Sequence, residues 1–104
     1  MSDPAAELIV EADLIDPGIP VPAKGESWVI SLMRYTVVRV LEGEYPHDDV
    51  FVGHDDADLD TPEFRAGVRH RLWLTRTFPE QATILSATAT REEGAFYCLR
   101  FELV

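Results

Sequence analysis

The sequence predicts an all-β domain, a small barrel of five or six strands spanning residues 1–104. Three observations carry that prediction. Trp28 to Leu41 reads WVISLMRYTVVRVL and is closed by the turn residues Glu42-Gly43-Glu44-Tyr45-Pro46. Its β-branched and aromatic side chains suit a pleated, half-buried surface better than a helix. The apolar phase of this run then slips. Trp28, Ile30 and Leu32 share one face, whereas beyond Arg34 apolar residues fall on both, Tyr35, Val37 and Leu41 against Val38 and Val40. A period of two that changes face implies a bulge or a bend, and bends let one strand serve two sides of a small barrel. Finally, Val68 to Arg76 alternates cleanly, Val68, His70, Leu72 and Leu74 on one side and Arg69, Arg71, Trp73 and Thr75 on the other.

The remaining elements follow in order. Glu7 to Ile15 alternates, with Leu8, Val10, Ala12 and Leu14 opposite Glu7, Glu11 and Asp13, which favours a half-buried strand over a helix capped by Asp3 and Pro4. Pro17 to Pro22 is an extended connector. Val50 to Gly53 is a short third strand, and Thr61 and Pro62 suit the cap and first position of one helical turn. Ala82 to Thr88 reads as a fifth strand, and Arg91 to Gly94 as a turn. In the last strand Tyr97, Leu99, Phe101 and Leu103 share one face, and Phe96, Cys98, Arg100 and Glu102 the other. The predicted core draws on Leu8, Val10, Ile30, Leu32, Val38, Val40, Phe51, Leu72, Leu74, Leu99, Phe101 and Leu103.

Composition bounds the function. With 104 residues, 46% of them apolar, the chain is one domain that needs no staple. No apolar run approaches the ~20 residues that cross a bilayer. The start, MSDPAAELIVEAD, has no basic segment and reads as cytoplasmic rather than as a secretory signal. Cys98 is the sole cysteine and sits in an apolar strand, which excludes an internal disulfide and a cysteine-built zinc site. Net charge is −10, with 15 acids against three basic residues in 1–63, and 4 against six in 64–104. Such acidity favours solubility and repels phosphate, so nucleic-acid binding is disfavoured.

The stretch Tyr35-x-Val37-x-Arg39-Val40-Leu41-x-Gly43, followed by Val50-Phe51-Val52 and by Phe64-x-x-Gly67-x-x-His70-x-Leu72-x-Leu74, resembles the strand-and-turn signature of bacterial OB-fold domains related to the netrin and tissue-inhibitor-of-metalloproteinases barrel. The resemblance covers residues 6 to 78 and implies an OB-like barrel. The N-terminal cysteine that those inhibitors place on a target zinc is absent here, as are their disulfides, so no inhibitory site carries across.

Two features could carry chemistry. The doubled triplet His47-Asp48-Asp49 and His54-Asp55-Asp56 runs on to Asp58 and Asp60. Gathered carboxylates attract calcium-like ions, which makes Asp48, Asp49, His54, Asp55, Asp56, Asp58 and Asp60 candidate ligands of a divalent cation. The spacing is not that of an EF-hand, because counting from Asp56 the sixth residue is Thr61 and the twelfth Gly67. The plain reading is a solvated acidic loop. The second feature is the outward face of the fourth strand, where Arg69, Arg71 and Trp73 stand in a row. Arginine beside a flat aromatic recurs in protein–protein hot spots, and in OB barrels that stack bases. An ordinary sheet face, with Trp73 covered and the arginines paired to acids, is the alternative. His70 lies on the apolar face, as core histidines do. No phosphate loop, nucleophile elbow or catalytic triad pattern is present. The expectation is a non-enzymatic, cofactor-free module that binds a protein partner, or a second copy of itself, through the Arg69, Arg71 and Trp73 face. A cation-binding domain is the alternative, and single-stranded nucleic-acid binding a third.

Overall fold

The structure is a computed structural model that describes residues 6–17, 29–55, 62–79, 83–85 and 95–104. Six strands are formed: β1 (Leu8–Asp16), β2 (Val29–Glu42), β3 (Asp49–Asp55), β4 (Arg69–Thr75), β5 (Thr83–Leu85) and β6 (Phe96–Leu103). Pro62–Phe64 makes a single 3-10 turn. Among the described residues there is no α-helix. The expected Trp28, the Thr61 cap, the Arg91–Gly94 turn, most of the Pro17–Pro22 connector and all of the predicted fifth strand except Thr83–Leu85 lie outside the described residues.

Five strands close into a ring in the order β1-β2-β3-β6-β4 and back to β1. All neighbours are antiparallel except β3 and β6, which run parallel through Val52–Phe96 and Gly53–Tyr97. β5 adds to the outside of the ring, parallel to the start of β2. Closure leaves the ring strands with paired flanks, which is how a small β domain avoids exposing edges.

The slipped pattern of β2 is a set of bulges. Ile9 pairs with Glu42 and Val10 with Val40, so Leu41 is an extra residue. Glu11 pairs with Arg39 and Ala12 with Val37, so Val38 is another. On β1, Ile15 is extra between Leu14–Tyr35 and Asp16–Arg34. On β6, Leu99 is extra between Cys98–Leu74 and Arg100–Trp73. A bulge bends its strand and raises the local twist, which a five-strand ring requires. Each extra side chain turns outward. Among the described residues, Ile15 (45%), Val38 (44%), Leu41 (37%) and Leu99 (37%) are four of the six exposed large apolar side chains, the others being Leu103 and Val104.

This corrects the predicted core at several positions. Val38 and Leu99 are bulge residues in solvent, and Leu103 is exposed at the end of β6. Because the Leu99 bulge shifts the phase of β6, its barrel-facing residues are Phe96 and Cys98, then Phe101, and not the single odd-numbered series. Phe51 is only half-buried and lies outside, opposite Arg34. Ile30 and Leu32 are buried, but on the outer face. They flank Gly53, where a Cβ would lie 2.6 Å from Ile30 Cγ2 and 2.9 Å from Phe78 Cε2, so only glycine admits this second layer. The barrel interior instead takes Met33 and Tyr35 from β2, together with Leu8, Val10, Ala12, Leu14, Val50, Val52, Leu72 and Leu74. Gly43 turns the chain out of β2 at φ +85°, where a Cβ would lie 2.6 Å from the Glu7 carbonyl oxygen.

Candidate functional site

The register lays the outer face of β2, β1, β4 and β6 out in rows. One row is Glu42, Ile9, Trp73 and Arg100, with the bulge residues Leu41 and Leu99 at its two ends. The next, two residues along, is Arg39, Glu11, Arg71 and Glu102. The third is Thr36, Asp13 and Arg69. Alternation along β1 and β4 puts these side chains outside because Val10, Ala12, Leu72 and Leu74 must fill the barrel.

The charged rows are internally paired. Glu11 accepts from Arg39 Nε at 2.8 Å and from Arg71 Nη2 at 2.7 Å and Nε at 3.2 Å. Asp13 accepts from Arg69 Nε at 2.7 Å and Nη2 at 3.2 Å. Arg100 Nη2 donates to Glu102 at 2.6 Å. The hydrogen bonds from Arg71 and then Arg39 hold the Glu11 carboxyl below its ordinary value, and Arg69 does the same for Asp13. Arg71 and Arg69 therefore stand where the alternation put them, and both are engaged. Trp73 also points outward, but it is 1% exposed, with the Arg100 guanidinium 4.6 Å from its ring centroid. The accessible apolar groups on this face are its bulge residues, which pattern reading placed in the core or left unassigned. In β2 their signal was present as apolar side chains in both phases, whereas on β6 Leu99 keeps the alternation and only the register reveals its bulge.

A second constellation was not anticipated. Inside the ring, the Tyr35 hydroxyl lies 2.8 Å from His54 Nε2 and 2.8 Å from His70 Nδ1. Tyr35, His54 and His70 come from β2, β3 and β4 and are 0%, 2% and 0% exposed. Phe64 from the 3-10 turn and Phe101 from β6 close over both imidazoles, with ring centroids 5.1–5.8 Å away. A hydroxyl has one hydrogen, so Tyr35 donates to one ring and accepts an N–H from the other; the accepting ring must be neutral, and burial disfavours the charged form of both. Burial, reinforced by the neighbouring His70, lowers the His54 pKa to about 3. Burial also lowers that of His70, partly offset by the Glu63 main chain, and raises that of Tyr35. His70 Nε2 is buried without a hydrogen-bond partner of good geometry, as is Ser31 Oγ. The three side chains are sealed from solvent, and their arrangement orders the core rather than presenting a reactive group.

The acidic stretch is divided by β3. Asp49 sits at its start, where it accepts from Arg34 Nε at 3.0 Å and from Thr36 Oγ1 at 3.3 Å, with Asp48 exposed beside it. His54 and Asp55 lie at the other end, roughly 15–20 Å away for a strand of this length. His54 turns into the barrel, while Asp55 accepts a hydrogen bond from the Tyr97 hydroxyl. Asp56, Asp58 and Asp60 lie outside the described residues. Among the described residues, no three His, Cys, Asp or Glu side chains gather around a common point. Cys98 is buried, its thiol donating to the Arg100 carbonyl at 3.2 Å, and burial pushes its pKa up to about 12.

What the fold and face define is a closed five-stranded β-barrel with a charge-laddered outer surface. No protein-family model, curated protein or solved structure matches the chain. Among the described residues no helix is long and apolar enough to cross a membrane.

Proposed function

We propose that this chain is a non-enzymatic interaction module that binds protein through the outer face of β2, β1, β4 and β6. The observation that carries the reading is the row in which exposed Leu41 and Leu99 flank buried Ile9 and Trp73, bordered by alternating Arg39, Glu11, Arg71 and Glu102. An apolar strip edged by charge is the usual anatomy of a protein interface. On this reading Arg69, Arg71 and Trp73 set the shape and charge of the surface, while the bulge residues make the contact. The order of the ring, with the last strand inserted between β3 and β4, supports an OB-like Greek-key architecture. A buried, unreactive lone thiol suits the cytoplasm.

Affinity capture from the source cell's lysate tests the reading, comparing wild type with Leu41→Asp plus Leu99→Asp. Both positions are exposed bulges, so the variant keeps its circular dichroism spectrum. The expected result is loss of the captured protein. Equal recovery by both chains rejects this face.

A further inference from the structure

The barrel is stoppered at the end where β3 finishes and β4 begins. The stopper is Phe64, on the 3-10 turn Pro62–Phe64. Its ring centroid lies 5.1 Å from that of His54, 5.8 Å from that of His70 and 5.3 Å from that of Phe101. From Pro62 to Gly67, Phe64 alone is buried and every other residue is exposed. Phe101, the other aromatic ring over the imidazoles, is fixed in the β6 ladder opposite Leu72. The cover over the two histidines is therefore unequal. One half belongs to a paired strand, and the other is a single side chain on a solvated turn. Just past the turn the chain is pinned to β1, by the Gly67 N–H on the Leu14 carbonyl at 2.7 Å and the Leu14 N–H on the Val68 carbonyl at 2.9 Å.

We propose that Phe64 is an acid-released plug: protonation of the imidazoles beneath it lifts the Pro62–Phe64 turn and admits water to Tyr35, His54 and His70 while the five-stranded ring stays closed. An imidazolium carries an N–H on each nitrogen. At His70 the Nδ1 position has the Tyr35 hydroxyl at 2.8 Å, but Nε2 is buried with no partner of good geometry. The surroundings do not neutralise the charge either. β1 sets Ala12 beside His70, β6 sets Phe101 over it, and β2 contributes Tyr35. β3 contributes a second imidazole, His54, with its ring centroid 6.4 Å away. Among the described residues the acid that bears on His70 is Glu63, on the turn itself, and burial outweighs its help. Water supplies what the closed site lacks. Of the elements over the imidazoles, the turn is the one that moves without breaking a strand ladder. Both rings resist a proton when covered and accept it near their ordinary value of 6.5 when wet, so acid favours the lifted state. The device is independent of what the outer face binds.

Amide hydrogen exchange on the full chain, followed residue by residue by NMR from pH 7 to pH 5 and at low urea concentrations, tests the plug. The reporter is the Val68 N–H, whose bond to the Arg65 carbonyl at 3.2 Å breaks when the turn lifts. Corrected for intrinsic exchange chemistry, Val68 protection is expected to fall at least about tenfold between pH 7 and pH 5, with little dependence on urea. The β1 amides, paired to β2 and β4, are expected to stay better protected and to lose protection steeply with urea, as a global opening does. Val68 protection that is flat with pH, or that matches β1 in size and urea dependence, overturns the proposal. Two variants sharpen the result. Tyr35→Phe with His54→Leu and His70→Leu is expected to abolish the pH response of Val68. Phe64→Ala is expected to leave Val68 fast-exchanging already at pH 7 with β1 still protected. A triple variant that keeps the pH response, or a Phe64→Ala chain with wild-type Val68 protection, overturns the proposal as well.

Discussion

The molecule solves the problem of placing polar groups in two opposite ways, and β4 carries both. On its inner side His70 joins Tyr35 and His54 in a network of uncharged groups, cut off from water and sharing a single hydroxyl. On its outer side Arg71 and Arg69 hold full charges against Glu11 and Asp13, with two hydrogen bonds each. Inside, the arrangement survives only in one protonation state, because a buried imidazolium has no partner to neutralise it. Outside, Asp13 and Arg69 keep access to solvent that can replace a lost bond, while Glu11, 5% exposed, is held by both Arg39 and Arg71. The inner network should therefore be intolerant and pH-sensitive, the outer one tolerant and salt-sensitive.

Acid should produce the largest difference between them. The His54 pKa is lowered from 6.5 to about 3 and that of His70 is also lowered, so the unfolded chain binds more protons than the folded one below pH 6.5. Their stabilisation is complete above that value and declines as pH falls, by up to about 1.4 kcal/mol per pH unit for each ring. Glu7, Glu11 and Asp13 also have lowered pKa values, but from ordinary values of 4.5, 4.5 and 3.8, so their loss begins at lower pH. Urea midpoints measured between pH 7 and 4.5 thus report the inner network first. A flat profile across that range would contradict the assignment.

Tyr35→Phe is expected to cost about 2–4 kcal/mol, since it strips two buried imidazoles of their shared partner while leaving the ring volume unchanged. Replacing all three polar groups together, Tyr35→Phe with His54→Leu and His70→Leu, should cost less than the single change, because no orphaned group is left. Urea denaturation of both variants decides this. On the outer side, Glu11→Gln should weaken the fold less than Tyr35→Phe, and the gap from wild type should narrow in high salt, as thermal melts with and without molar sodium chloride would show. The smallest effect belongs to the Arg34–Asp49 pair, whose side chains are 48% and 37% exposed. Arg34→Ala should cost at most about 1 kcal/mol by the same melts.

These two regions were unequally legible in the sequence. The barrel was readable because β2 carries apolar side chains in both phases, and only a bent strand can use both. The outward placement of Arg69, Arg71 and Trp73 was readable from the strict alternation of β4. That Trp73 would be covered was not, since its neighbours Ile9 and Arg100 come from β1 and β6 and only the register brings them together. The inner network was hidden for the same reason. Tyr35, His54 and His70 are 19 to 35 residues apart in the paired contacts, and His54 reads locally as part of an acidic loop. Its one local clue is its position just after Val52 and Gly53, which continues β3 rather than leaving it.

The insertion of β6 between β3 and β4 has a consequence for how the chain is made. β1, β2 and β3 are each other's neighbours in order and can zip together as they emerge from the ribosome. β3 and β4, consecutive ring strands in the sequence, must instead wait with a gap between them until residues 96–103 arrive. The seam they wait for spans 40 residues of intervening chain and meets β3 at only two register positions, Val52–Phe96 and Gly53–Tyr97. Synthesis should therefore leave a sticky half-cylinder whose final stitch is slow, made late, and the first to come undone under load.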